Sequence, residues 1–197
     1  MARIPQDFDV LGAEGDRYAV HALGAYHKYW MDTEKTVKNP NFDQTHSGLI
    51  LSAKRSDHAN HAYAIKCFTK MIREAALRFD DDQIELVVVP SHTQGEVSAG
   101  LRSIAENLCK TDERFRYRHN SLSRTKSIAK LAGGGDRRIE VHLDSISFRR
   151  DLKMRCGVLI LDDVSTTGNS IAACGDIISG QRRSVVGGLV LGRTADE

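Results

Sequence analysis

Two neighbouring carboxylates, Asp162 and Asp163, directly follow a four-residue apolar run, Val158-Leu159-Ile160-Leu161, and precede a hydroxyl-rich turn. That turn holds Ser165, Thr166, Thr167 and Ser170 about Gly168, with Asn169 beside it. Two like charges side by side are costly unless a cation or hydroxyl donors satisfy them. A helix opening at Gly168 would add free backbone N–H groups and the positive end of its dipole. Such a turn suits a phosphate monoester, held by amides, hydroxyls and dipole together. The complementary ligand carries a phosphate at one end and a vicinal diol a short distance away, and a ribose 5-phosphate has that shape. Capping Ser and Thr residues would explain the hydroxyls alone, but not the paired acids in front of them. The turn lacks the Lys and the spacing of a P-loop, which argues against ATP hydrolysis.

These residues need a scaffold, and the apolar pattern from Gly48 onward supplies one. A short apolar run, Leu49-Ile50-Leu51, precedes a helix over residues 57–79, in which Ala64, Phe68, Ile72 and Ala75 recur at helical spacing. A β-branched strand over 84–89 stops at Pro90. A second helix, 96–109, carries Val97, Leu101, Ile104, Ala105 and Leu108 on one side. A strand over 158–161, a helix over 168–179 and a strand over 185–191 complete the alternation. The expected fold is α/β, a central and mostly parallel sheet with flanking helices. Residues 1–47 read as a small N-terminal cap, with one short helix or hairpin before Lys38-Asn39-Pro40-Asn41, and residues 48–197 as the main domain. In such sheets ligands bind at the carboxyl ends of the strands. That rule selects a second strand end, Pro90-Ser91-His92-Thr93-Gln94-Gly95.

Composition sets the outer bounds. With 41% hydrophobic and 27% charged residues in 197, the chain is an ordinary globular protein rather than a disordered, collagenous or disulfide-dense one. No apolar run approaches the ~20 residues that span a bilayer, and the N-terminus lacks a secretory pattern, so no membrane contact and a cytoplasmic location are expected. The four cysteines form no CxxC pair, and His58 and His61, three apart, lack a third ligand and read as a solvated helix start. His92, His119 and His142 could titrate near neutrality, without an identifiable partner. The net charge is only +2, yet residues 110–155 hold thirteen Lys or Arg against six Asp or Glu. A basic middle points to an anionic ligand.

The thirteen residues from Val158 to Ser170 resemble the phosphoribosyl-diphosphate (PRPP) signature of type I phosphoribosyltransferases: four apolar residues, two acids, two apolar residues, a hydroxyl pair, Gly, any residue, a hydroxyl. Ser165 stands where an aliphatic residue is usual. A looser similarity runs from Gly48 onward and is nearest the ComF-like branch, without its cysteine zinc module. The resemblance makes Val89-Pro90-Ser91-His92 the diphosphate loop, often bearing a cis peptide, with the backbone of Ser91, His92 and Thr93 facing the diphosphate. It makes the stretch from Arg124 through Lys126 and Lys130 to Arg137, beside Gly133-Gly134-Gly135, a mobile basic hood. It also matches the closing Arg193-Thr194 pair. The usual Arg-Gly-Phe-Asn run is replaced by Ala99-Gly100-Leu101-Arg102.

What the resemblance implies is transfer of the phosphoribosyl group from Mg²⁺-PRPP to a nitrogen acceptor, with release of diphosphate. Asp162 and Asp163 would orient the ribose and hold Mg²⁺ only indirectly, through substrate and water. Ser165, Thr166, Thr167, Gly168, Asn169 and Ser170 would bind the 5-phosphate. Arg124 and Lys126 would bring positive charge to the leaving group on closure. Oxopurine-specific relatives place an Asp where Thr166 stands, so a hypoxanthine or guanine acceptor fits poorly. The competing reading is a catalytically silent PRPP-binding regulator acting through a protein partner, toward which Tyr26, Tyr29 and Trp30 lean as a partner surface. A homodimer fits either reading. The basic middle would also suit nucleic acid, a weaker third reading.

Overall fold

Odd and even positions along three central strands face different cores, and this alternation organises the molecule. The computed structural model describes residues 7–130, 135–136, 138–149 and 156–195. Strand β4 (Ile84–Val88), β8 (Gly157–Ser165) and β9 (Val185–Thr194) lie together at the middle of the sheet. On one face Leu86, Val88, Leu159, Leu161, Leu189 and Leu191 join helices α1 (Ser47–Lys54), α2 (His61–Ala75) and α3 (Ala99–Thr111) in one core. On the other face Val87, Val158, Ile160 and Val190 meet α5 (Asn169–Gly180). Side chains two apart on a strand share a face, so near-continuous apolar runs fill both layers at once.

The sheet runs β1 (Phe8–Leu11), β2 (Arg17–Ala22), β9, β8, β4, β5 (Phe115–Tyr117), with β3 (Ala25–Tyr26) also on β9. Only β1–β2 is antiparallel; the other pairings in this sheet are parallel. The fold is therefore α/β, a mixed and mostly parallel sheet flanked by helices. Among the described residues no helix is long and apolar enough to cross a membrane.

Several elements differ from the sequence reading. The strand expected over 158–161 continues to Ser165, because Asp162, Val164 and Ser165 pair with Val190, Gly192 and Arg193. The two acids thus sit inside a strand, not after it. Leu49-Ile50-Leu51 is helical, within α1, and the helix expected from residue 57 starts at His61. From the N-terminal 47 residues, β1, β2 and β3 enter the main sheet, with Val20, His21 and Ala22 opposite Gly188, Leu189 and Val190. The stretch read as a hood begins as ordered structure: β6 (Leu122–Arg124) pairs antiparallel with β7 (Ile146–Phe148), and α4 (Ile139–Leu143) lies between them. Its Gly133, Gly134 and Arg137 lie outside the described residues.

Candidate functional site

Because β2, β3, β4, β8 and β9 run parallel, their carboxyl ends open on one side of the sheet, where a cavity of about 530 Å³ lies. Asp162 and Asp163 both line it, but strand alternation sends them to opposite faces. Asp163 turns toward the α1 layer and pairs with Lys54 Nζ at 3.0 Å. Burial opposes the Lys54 charge, yet attraction to Asp163 and the hydrogen bond that Lys54 donates to it carry its pKa above the ordinary lysine value. Asp162 turns toward α5, and its Oδ1 accepts the Asp163 N–H at 2.8 Å. Burial first, and the neighbouring Asp163 second, push the Asp162 carboxyl up to about 8, against the pull of Lys54 and Arg124.

The turn after β8 forms the second wall. Thr166, Thr167, Gly168, Asn169 and Ser170 line the cavity, and α5 starts at Asn169. Gly168 has φ +83°, and a Cβ there would overlap the Val10 side chain of β1. Only glycine combines that left-handed backbone with so close a neighbour. Thr167 Oγ1 accepts the Asn169 N–H at 3.4 Å, and Thr166 Oγ1 lies 2.9 Å from Thr194 Oγ1. The first-turn N–H groups of α5 have no intrahelical partners, and Asn169 and Ser170, which carry two of them, line the cavity. Ser165 also lines the cavity but is buried, and its Oγ has no hydrogen-bond partner among the described residues.

The turn after β4 forms the third wall, and Ser91 and His92 line it while Thr93 stands off it. Its peptides are trans. The Ser91 N–H donates to Glu96 O at 2.9 Å and the Thr93 N–H to Ser91 Oγ at 3.2 Å, so these two amides close the turn itself. The His92 amide makes no such bond among the described residues. Arg124 fixes the turn from β6: its Nε donates to Ser91 O at 2.6 Å and its Nη1 to Ser145 Oγ. It is 3% exposed, part of the wall rather than a side chain carried on a lid. Burial lowers its pKa. Lys130 reaches the cavity, whereas Lys126 is exposed and does not.

Sequence reasoning left Lys54, Lys28 and Ser98 unassigned, although all three line the cavity. A Lys ending a short apolar run gives no local signal of its partner. Tyr26, read as partner surface, also lines the cavity. His142, flagged without a partner, lies with Nε2 3.4 Å from Ser170 Oγ. Burial, with Arg124 assisting, lowers it to about 4, so its ring is neutral at physiological pH.

The arrangement offers hydroxyls and helix amides on one side, oxygen acceptors at the centre and cations around the rim. Among the described residues no group of three or more His, Cys, Asp or Glu could cage a metal. No protein-family model matches the chain, and no curated protein matches it significantly.

Proposed function

We propose that the chain binds Mg²⁺-PRPP and transfers its phosphoribosyl group to a nitrogen acceptor, on a type I phosphoribosyltransferase-like fold. The observation that carries this reading is the shared cavity wall: paired acids at the end of β8, then a hydroxyl-rich helix start a few residues on. The turn from Thr166 to Ser170 would hold the 5-phosphate through amides, hydroxyls and the α5 dipole. Asp162 and Asp163 would accept hydrogen bonds from the ribose hydroxyls. Ser91 and His92, braced by Arg124, would face the diphosphate. Mg²⁺, carried on the substrate, would supply positive charge to the diphosphate oxygens. The C1–O bond breaks with its electron pair leaving on diphosphate, the nitrogen lone pair forms the C1–N bond, and the surplus nitrogen proton passes to water. Lys130, which lines the cavity, would stabilise the charge that gathers on the leaving group.

A second reading, a silent PRPP-binding regulator, draws on the Lys54–Asp163 ion pair, which occupies one of the two diol acceptors. Both readings require the ligand. At a hundredfold excess over Kd, a ligand that binds only the native state adds ~2.7 kcal/mol, or about 5–10 °C in Tm for a chain of this size. Mg²⁺-PRPP should raise Tm by that order in the wild type and not in Asp162→Asn/Asp163→Asn. An unchanged wild-type melt overturns the proposal. Diphosphate release with some acceptor supports the transferase, and binding without release over a broad panel supports the regulator.

A further inference from the structure

We infer, resting on the reading of the α5 turn as a phosphate site, that His142 is a positioning residue: its Nε2–H donates to Ser170 Oγ, which leaves the Ser170 hydroxyl proton for an oxygen of the ligand's phosphate. His142 lines the cavity from α4, is only 1% exposed, and takes no part in the transfer steps above. Its Nε2 lies 3.4 Å from Ser170 Oγ, in the first turn of α5. That distance is long for a hydrogen bond, and a bound anion that polarises the hydroxyl would shorten it.

The surroundings of the imidazole select the direction of this bond. The ring is neutral, because burial and Arg124 oppose its charge, so one of its nitrogens carries a proton and the other does not. Nδ1 is buried and has no hydrogen-bond partner among the described residues. A proton there would be an orphaned buried donor, whereas a bare lone pair costs less. Asp136, an acid that acts on the ring, is exposed and held by Arg138 Nη2 at 2.8 Å instead. The proton therefore belongs on Nε2, facing Ser170. A hydroxyl that accepts this bond keeps its single O–H for another acceptor. The oxygens of a phosphate monoester dianion are acceptors only, which makes it the complementary ligand.

The imidazole is held in place by the cavity wall. Arg124 donates to Ser91 O at 2.6 Å and, through Nη1, to Ser145 Oγ. Ser145 Oγ donates in turn to Val141 O, and the Ser145 N–H to His142 O at 3.2 Å. A run of hydrogen bonds thus leads from the β4 turn through Arg124 and Ser145 into α4, and seats His142 against Ser170. Support of this kind behind a ligand-binding hydroxyl fixes its direction before the ligand arrives.

The test uses the full chain, with ribose 5-phosphate and Mg²⁺-PRPP as probes. Nitrogen-15 NMR near neutral pH, assigned against His142→Gln, should show the His142 ring protonated on Nε2 in the free and the ribose 5-phosphate-bound protein. This readout comes from the wild type, so it stands even if a variant does not fold. By calorimetry, His142→Leu should weaken ribose 5-phosphate about fivefold or more, and His142→Gln, whose amide N–H can reach the same hydroxyl, should stay within about threefold of wild type. In a Ser170→Ala background, His142→Leu should add no more than about twofold. A ring protonated on Nδ1 alone, wild-type binding in His142→Leu, or a penalty undiminished in the Ser170→Ala background overturns the inference. His142-dependent binding of ribose 5-phosphate without binding of Mg²⁺-PRPP would sustain the positioning role while sinking phosphoribosyl transfer. Mg²⁺-PRPP binding that ignores both substitutions would do the reverse, and binding of neither probe overturns both.

Discussion

Asp162 shows how one residue couples the site to the stability of the fold. Its folded pKa of about 8 exceeds the unfolded carboxylate value of about 3.9, so between those limits the native state holds a proton that the unfolded chain has lost. Stability from this group therefore falls as pH rises through that window. His142 works in the opposite direction. Its folded value of about 4 lies below the unfolded ~6.5, so its contribution falls as pH drops from ~6.5 to ~4. The two slopes oppose each other below pH ~6.5, and above it Asp162 acts alone. Asn at position 162 keeps an oxygen for the Asp163 N–H and removes the titration. We expect Asp162→Asn to raise the ligand-free Tm by several degrees at pH 8, by much less at pH 5, and to lose the Mg²⁺-PRPP shift. Paired thermal melts across pH check this, and equal Tm differences at both pH values would count against it. The acids were legible in the sequence because their types and position were unusual. Lys54 was not, because its partnership with Asp163 exists only once α1 packs on the sheet.

Among elements, the strand–turn–helix from β8 to α5 does most to shape the cavity. Its alternation was readable over residues 158–161, since apolar side chains there serve both cores. The last four residues of β8 were not readable as strand, because polar residues after an apolar run also describe a loop. Pairing with β9 decides the matter, and β9 offers Gly192 and Arg193 opposite Val164 and Ser165. The turn depends on Gly168, whose left-handed backbone costs other residues about 1–2 kcal/mol even without a neighbour. Gly168→Ala adds an overlap with Val10 from β1. We expect it to lower stability by more than that range and to weaken ribose 5-phosphate binding tenfold or more. Denaturant unfolding and calorimetric titration measure the two effects. The β6–β7 ribbon was missed because three-residue strands carry too little pattern, and a basic polar stretch reads equally as loop.

At the scale of the molecule, the N-terminal strands complete both the sheet and the cavity. β2 carries a usable signal, since Tyr18, Val20 and Ala22 are buried at alternate positions while Arg17 and Ala19 are exposed. It is short, and its partner β9 lies at the far end of the sequence, so local pattern alone did not reveal the pairing. Removing residues 1–24 would strip β9 of β2 and expose Val190 and Ile171, which the buried Val20 and Ala22 help to cover. Such a chain should lose its near-ultraviolet circular dichroism and migrate as expanded or aggregated material in size-exclusion chromatography. A native-like, monodisperse product would show that the strands are dispensable.

The placement of β9 has a bearing on how the protein comes into being. It pairs with β2, β3 and β8 and supplies Thr194 to the cavity, yet it follows all of them in the chain. On a translating ribosome the earlier strands would wait with an open slot between β2 and β8. The cavity would close only after β9 cleared the exit tunnel. Nascent chains halted before it would present two unsatisfied strand edges, the kind of surface chaperones retain and proteases clear.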